Sequence, residues 1–116
     1  MDDASWLPRL SEALSLSAEH EQDWGICNAD AERASEFVQF YTTHQVVHPY
    51  EPEALAELIL ESFNDLLLEA GATKAHIQVL RSFLNQHSAE FPMTMQYWAE
   101  LGDAEFPVSV FVRSAQ

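Results

Sequence analysis

The segment that decides the fold is EPEALAELILESFNDLLLEAG, residues 51–71. Its apolar residues recur at steps of three and four, which places them on one face of an α-helix. Pro52 is tolerated in a first helical turn, and Gly71 is a typical residue just beyond a helix C-terminus. We therefore predict a helix over residues 53–70. Its apolar face consists of Leu55, Leu58, Ile59, Phe63, Leu66 and Leu67.

The segments that flank this helix also have helical character. Apolar side chains recur at helical spacing over residues 5–17, 30–47 and 74–87, so we predict a helix in each. Asn28 or Asp30 is the predicted cap of the helix over 30–47, and Thr73 that of the helix over 74–87. Pro49 stops the helix over 30–47 near His48, because proline disfavours helical geometry in the residue before it. Residues 18–28 are interpreted as a connector or a very short strand.

The C-terminal segment permits two interpretations. Residues 92–101 fit either a short helix or a strand. Val108, Val110 and Val112 alternate within residues 106–113, which favours a strand there. A two-stranded hairpin has little stability unless it packs on helices. We predict an all-α, bundle-like domain of four to five helices, with a short C-terminal β-hairpin as the alternative.

Length and charge restrict the function. The 116 residues are 47% hydrophobic and 21% charged, which is typical of one globular domain, residues 1–116. Five Lys and Arg residues against 19 Asp and Glu residues give a formal net charge of -14. Nucleic acids and anionic membranes bind clustered basic residues, so we expect neither as a partner. We expect a basic protein partner instead.

The sequence also predicts a compartment. Cys27 is the one cysteine, so no internal disulfide can form, which favours a reducing environment. Asp2 and Asp3 stand where a signal peptide carries positive charge, and no apolar run reaches membrane-spanning length. We therefore expect a cytoplasmic protein in which Cys27 is a buried, unreactive thiol.

A line of acids on the predicted central helix is the main candidate binding surface. The acids follow one another at steps of four, which places them on one slowly winding line opposite the leucines. Like charges at this spacing repel by about 0.2–0.5 kcal/mol per pair. One interpretation is the solvated face of an amphipathic helix; the functional one, which we adopt, is a contact surface for a basic partner. This acidic ridge consists of Glu53, Glu57, Glu61, Asp65 and Glu69.

Three further residues are candidates for a site. Tyr50 lies in a predicted turn, so we expect it to be exposed and to act as an interface anchor. His44 and His48 stand four residues apart at a predicted helix end, which makes them weak candidates for metal ligands. Gln45 stands where a zinc protease has glutamate, and polar residues are common at helix ends. We predict no metal and no other cofactor.

These observations predict a non-enzymatic, acidic partner-binding protein. The three glycines are far apart, so there is no glycine-rich phosphate loop, and scattered carboxylates define no hydrolytic geometry. The alternative is a structural or assembly module that homodimerises through Leu60 and Leu68, which fall toward the polar side of the central helix. An enzyme with a site at His44 and His48 is a third hypothesis.

A further pattern runs from position 24 to the C-terminus. It consists of Trp24, Ile26, Asp30, Arg33, Glu36, Phe37, Leu55, Leu58, Ile59, Ser62, Asn64, Tyr97, Trp98 and residues 106–113. With these residues the chain resembles small acidic bacterial proteins of sparsely characterised families, some of which are regarded as immunity partners of secreted toxins. The resemblance implies a cytoplasmic location and partner binding, and it transfers no catalytic residue. Our hypothesis is therefore an immunity-type inhibitor that occludes a basic protein surface.

Overall fold

The regular elements of the protein are helices. The computed structural model describes residues 6–19 and 22–116, and within these ranges it contains no β-strand. The all-α class is therefore confirmed. The α-helices of the described residues are α1 (Trp6–Leu14), α2 (Trp24–Asn28), α3 (Ala34–Thr43), α4 (Glu51–Leu68), α5 (Lys74–His87), α6 (Pro92–Ala99) and α7 (Val108–Ser114). Short 3-10 helices, Ala31–Arg33 and Ser88–Glu90, precede α3 and follow α5.

The long helix α4 forms the centre of the structure. It contacts α2, α3, α6 and α7, and its apolar face is buried at Leu55, Leu58, Ile59 and Phe63. The radius of gyration is 13.4 Å, as expected for a compact chain of this length. Over the residues with described positions, no helix is long and apolar enough to cross a lipid bilayer.

The predicted ranges 5–17, 53–70 and 74–87 correspond to α1, α4 and α5. Residue 5, the predicted start of the first of them, lies outside the described residues. Thr73 caps α5 as predicted: its Oγ1 accepts a hydrogen bond from the His76 N–H over 3.2 Å. Asp30 caps the 3-10 helix that leads into α3, accepting a hydrogen bond from the Glu32 N–H over 3.0 Å.

The C-terminus of α4 differs from the prediction, because the helix ends at Leu68 rather than at residue 70. The left-handed residue that ends the helix is Ala70, with a φ of 57°, rather than Gly71. The Gly71 N–H donates to the Leu66 carbonyl over 3.0 Å and the Ala70 N–H to the Leu67 carbonyl over 3.2 Å, which is a Schellman arrangement. For a residue with a Cβ atom, the left-handed conformation costs about 1–2 kcal/mol. The helix end is therefore formed at some cost in stability.

Two segments for which the sequence left a strand possible form short helices. Residues 24–28 form α2, whereas the sequence indicated a connector or a very short strand; residues 20–21 of that segment are not described. Helix α2 packs closely on α4, because a Cβ atom at Gly25 would lie 2.7 Å from Glu57 Cγ. The strand interpretation of residues 106–113 is wrong. They contain α7, which buries Val108 and Val112, four residues apart, and exposes Val110. Packing on the helical core decides the conformation against β-propensity.

Candidate functional site

The acidic ridge begins beneath α6. Glu53 accepts hydrogen bonds from the Thr94 N–H at 2.8 Å, from the Thr94 hydroxyl at 2.7 Å and from the Met93 N–H at 3.2 Å. These N–H groups belong to the first turn of α6, where backbone donors have no acceptor within the helix. Phe91, the N-cap residue of α6, has no polar side-chain atom that can accept them. Glu53 therefore caps α6 from another helix.

Glu57 forms the second contact between the ridge and α6. Its Oε2 accepts a hydrogen bond from Trp98 Nε1 over 2.8 Å, and Trp98 is fully buried. Burial raises the pKa of Glu57 above its ordinary value, although hydrogen bonds from Trp98 and Glu61 lower it in part. The second carboxyl of the ridge is thus packed against its own chain.

Glu61 lies between two other acids. It is half-buried, and its side chain forms a hydrogen bond with that of Glu57. Burial, together with the charges of Glu57 and Asp65, raises the pKa of Glu61 to about 7. Burial also raises the pKa of Asp65. None of the ion pairs formed between residues of the described ranges includes these three carboxyls. A protonated Glu61 that donates to the Glu57 carboxylate relieves their repulsion.

The ridge is therefore not a uniformly solvated outer face of α4. That expectation is wrong for Glu53 and Glu57, which α6 engages, whereas Glu69 is exposed. The reason is geometric, because four steps of four residues turn through about 160° around a helix. The ridge consequently winds from the side covered by α6 to an open side. Its role in partner binding stays a prediction.

The segment between α3 and α4 is anchored by one buried carboxylate. Glu51, only 3% exposed, accepts hydrogen bonds from the Val47 N–H at 2.6 Å and from the His48 N–H, and it pairs with His44 Nε2 at 2.7 Å. Burial raises the pKa of Glu51, but these hydrogen bonds outweigh burial and leave the pKa below its ordinary value. The chain leaves the helical path after Thr43 to make these bonds, so α3 ends before the predicted boundary at 47.

Both candidate metal ligands stack on aromatic rings. His48 lies between Trp6 and Tyr50, with ring centroids at 5.0 Å and 5.5 Å. His44 stacks on Phe40 at 4.8 Å. Because α3 ends before either histidine, the premise of a pair on one helical turn is wrong. Within residues 6–19 and 22–116, no group of three or more His, Cys, Asp or Glu side chains is arranged to hold a metal ion.

The same segment presents apolar side chains to solvent. Val46, Val47 and Tyr50 are 51%, 64% and 57% exposed, so the predicted exposure of Tyr50 is confirmed. We refer to these residues and those between them as the 46–50 loop. Neither Val46, Val47 nor Glu51 was predicted from the sequence as part of a site. The available signal is HQVVHPYE, residues 44–51, in which two adjacent valines stand at the end of the predicted helix, just before the turn at Pro49.

A cavity of about 230 Å³ lies between α1, α2 and α4. Trp6 and Trp24 line it, and Trp6 also stacks on His48, so the cavity adjoins the 46–50 loop. The Trp24 indole is fixed by a hydrogen bond from its Nε1 to Ser11 Oγ at 2.8 Å. Glu57 is the one formally charged side chain among the described lining residues.

Two other predictions about single residues are wrong. Cys27 is exposed rather than buried, because the inward face of α2 is occupied by Trp24 and Gly25. Leu60 is fully buried, because helices pack on α4 from several sides, so only Leu68 of the suggested dimer contacts is exposed. The surface available for homodimerisation on α4 is accordingly smaller than the sequence indicated.

Together, these features define a small, acidic, all-α protein with an anchored apolar loop beside a tryptophan-lined cavity. No known protein family, curated protein or solved structure matches the chain.

Proposed function

We propose that the protein is a non-enzymatic binding module that docks on a basic protein and inhibits it by occlusion, as an immunity protein does with a toxin. The observation that carries this proposal is the exposed apolar 46–50 loop, held in place by the buried carboxylate of Glu51. Action in a bacterial cytoplasm, as expected from the sequence, belongs to the same proposal.

The 46–50 loop is preorganised for binding. Glu51 fixes the backbone of Val47 and His48, and the His48 ring is stacked between Trp6 and Tyr50. A segment that already holds its bound conformation loses less entropy when it associates. Aromatic side chains with apolar neighbours are frequent hot spots of protein interfaces. Tyr50 is therefore the expected anchor of the interface.

The charge of the chain favours a cationic partner. A field of this sign accelerates association with a basic protein by about 10- to 1000-fold at low salt. The positive charges of Arg33 and Arg113 are paired within the chain, with Glu36 and Asp103. The acidic ridge contributes to the field, most directly through its exposed residue Glu69. Binding by shape and charge requires no catalytic group.

The test compares two exposed tyrosines. Tyr50→Ala removes the loop anchor, and Tyr97→Ala removes a similarly exposed tyrosine on α6. The partner is captured from native lysate with the wild-type protein and purified, and its binding kinetics are then measured at low and high salt.

We expect a basic partner whose association slows with salt and whose Kd rises about ten-fold or more with Tyr50→Ala alone. Equal effects of the two variants, association that does not depend on salt, or a partner without a basic surface would refute the proposal.

A homodimeric assembly module is the second candidate function. The exposed side chain of Leu68 near the end of α4 favours it, whereas the buried Leu60 does not contribute. Sedimentation over a wide range of protein concentration separates the two candidates. A monomer at every concentration rejects homodimerisation, and a dimer that Leu68→Ser dissociates supports it.

A further inference from the structure

The cavity beside the 46–50 loop has the composition of a site for an organic cation. Trp6, Trp24 and Glu57 are among the residues that line it. Aromatic faces attract cations, and a carboxylate strengthens hydrogen bonds from a charged donor. Leu7 and Ala54 supply apolar wall that suits the aliphatic stem of such a ligand.

The size of the cavity restricts the ligand to one small group. Its volume of about 230 Å³ lies below the roughly 300–1,000 Å³ of pockets for drug-sized molecules. A single side chain or a compound of similar size fits that description. Guanidinium is favoured over ammonium, because its planar cation stacks on aromatic rings and is less strongly hydrated.

Glu57, which lines the cavity, and its neighbour Glu61 form no ion pair with another described residue. Glu57 and Glu61 form a hydrogen bond with each other, and burial raises the pKa of both. The other groups that face them are Asp65, whose charge adds to the repulsion, and the neutral Trp98 indole of α6. A cation in the cavity would stabilise the ionised pair and displace its proton. Within residues 6–19 and 22–116, these two carboxyls therefore lack a counter-ion, which a cationic ligand can supply.

We propose that the cavity binds an alkylguanidinium group, with Trp6 and Trp24 against the cation and Glu57 as its counter-ion. Because Trp6 also stacks on His48, a partner seated on the 46–50 loop can insert an arginine side chain here. In that form the inference rests on the proposed function. A free small guanidinium compound presents the same chemistry.

Tryptophan fluorescence tests the site directly. The probe is n-butylguanidinium at pH 8, above the pKa of Glu61, and the neutral n-butylurea serves as its matched control. We expect a saturable change with the cation and none with the urea. Glu57→Gln keeps an acceptor for Trp98 but removes the charge, and it should weaken binding about ten-fold or more. The exposed Glu100→Gln should leave the affinity unchanged.

Ala54→Met provides a second variant, because it fills the cavity with a flexible side chain and should abolish the fluorescence change. An equal response to n-butylurea, or undiminished binding by both Glu57→Gln and Ala54→Met, overturns the inference. If Glu57→Gln also weakens binding of the captured partner, the guanidinium group in the cavity is an arginine of that partner. If partner affinity is unchanged while the probe binds, the ligand is a free guanidinium compound.

The two proposals fail in distinguishable ways. If partner binding depends on Tyr50 but the probe does not bind, the cavity inference fails and the proposed function stands. If the probe binds but partner binding is indifferent to Tyr50→Ala, the proposed function fails and the cavity site stands.

Discussion

Replacing Glu61 by glutamine should stabilise the protein at pH 8 and change little at pH 5. Glu61 is half-buried on α4, and burial, with the charges of Glu57 and Asp65, raises its pKa to about 7. The amide of Glu61→Gln can donate to the Glu57 carboxylate at every pH, whereas the carboxyl of Glu61 donates only while protonated. The substitution removes the charge and retains the contact.

The sign of the effect follows from proton uptake. Unfolded Glu61 titrates near its ordinary pKa of 4.5 and folded Glu61 near 7, so between these values the folded state holds a proton that the unfolded state has released. The stabilisation is fully present below about pH 4.5 and is lost as the pH rises through about 7. The difference corresponds to at most about 3 kcal/mol. Solvent screening of a half-buried carboxyl lowers this to about 1–2 kcal/mol.

Urea unfolding from about pH 5 to about pH 8 measures this effect. The wild-type free energy of unfolding should fall by about 1–2 kcal/mol over this interval. That of Glu61→Gln should fall by less, because the raised pKa values of Glu57 and Asp65 still contribute but that of Glu61 no longer does. Glu69→Gln, an exposed control on the same chain segment, should follow the wild type. At pH 8 the Tm of Glu61→Gln should exceed that of the wild type by about 4–8 °C.

Glu51 should not obscure this measurement. Its pKa is lowered, so its stabilising contribution is present above about pH 4.5 and is lost only on further acidification. A wild-type stability that does not fall from about pH 5 to about pH 8 would refute the reasoning. So would a Glu61→Gln variant that is destabilised equally at every pH.

Three further substitutions test the packing, each by urea unfolding. Gly25→Ala should destabilise by about 1–3 kcal/mol, because its Cβ would meet Glu57 Cγ at 2.7 Å, whereas Gly102→Ala, with nothing within 4 Å, should stay within about 0.5 kcal/mol. Equal effects of the two would contradict the close packing of α2 on α4. Ala70→Gly should stabilise by about 0.5–1 kcal/mol, since glycine adopts the left-handed conformation without strain; a loss would argue against that conformation in solution. Glu51→Ala should cost about 2–3 kcal/mol and accelerate amide exchange at Val47 and His48, which lose their acceptor. Unchanged exchange would show that Glu51 does not anchor the loop.

The central helices could be predicted from the sequence because their determinants are local. In α4 and α5 the apolar residues repeat at helical spacing, and Thr73 supplies a cap three residues before the N–H it accepts. Such signals depend only on neighbours in the chain. A local signal also explains why a strand was wrongly favoured for α7. Its alternating valines have strand propensity, but Val108 and Val112 are buried in the helical core by contacts distant in the chain.

The candidate site could be predicted only in part. Tyr50 was identified because a turn residue between two helices is expected to be exposed. The burial of Glu57 could not be predicted, because it depends on α6. The contact that buries it joins Glu57 to Trp98, which is 41 residues later in the chain. The sequence also could not show that Glu51 accepts hydrogen bonds from the backbone N–H groups of the 46–50 loop. Acidic residues are too numerous in this chain for one of them to stand out.

The hydrogen bonds from the start of α6 to Glu53 make the folding of the last quarter of the chain, the part after α5, depend on α4. A helix of 8 residues is too short to persist alone, since isolated helices below about 12–15 residues are marginal in water. Its acceptor comes from 41 residues earlier. A C-terminal fragment that begins after α5 contains α6 but not Glu53, so we expect it to be largely unstructured. The conformation of α6 therefore depends on its hydrogen bonds with α4.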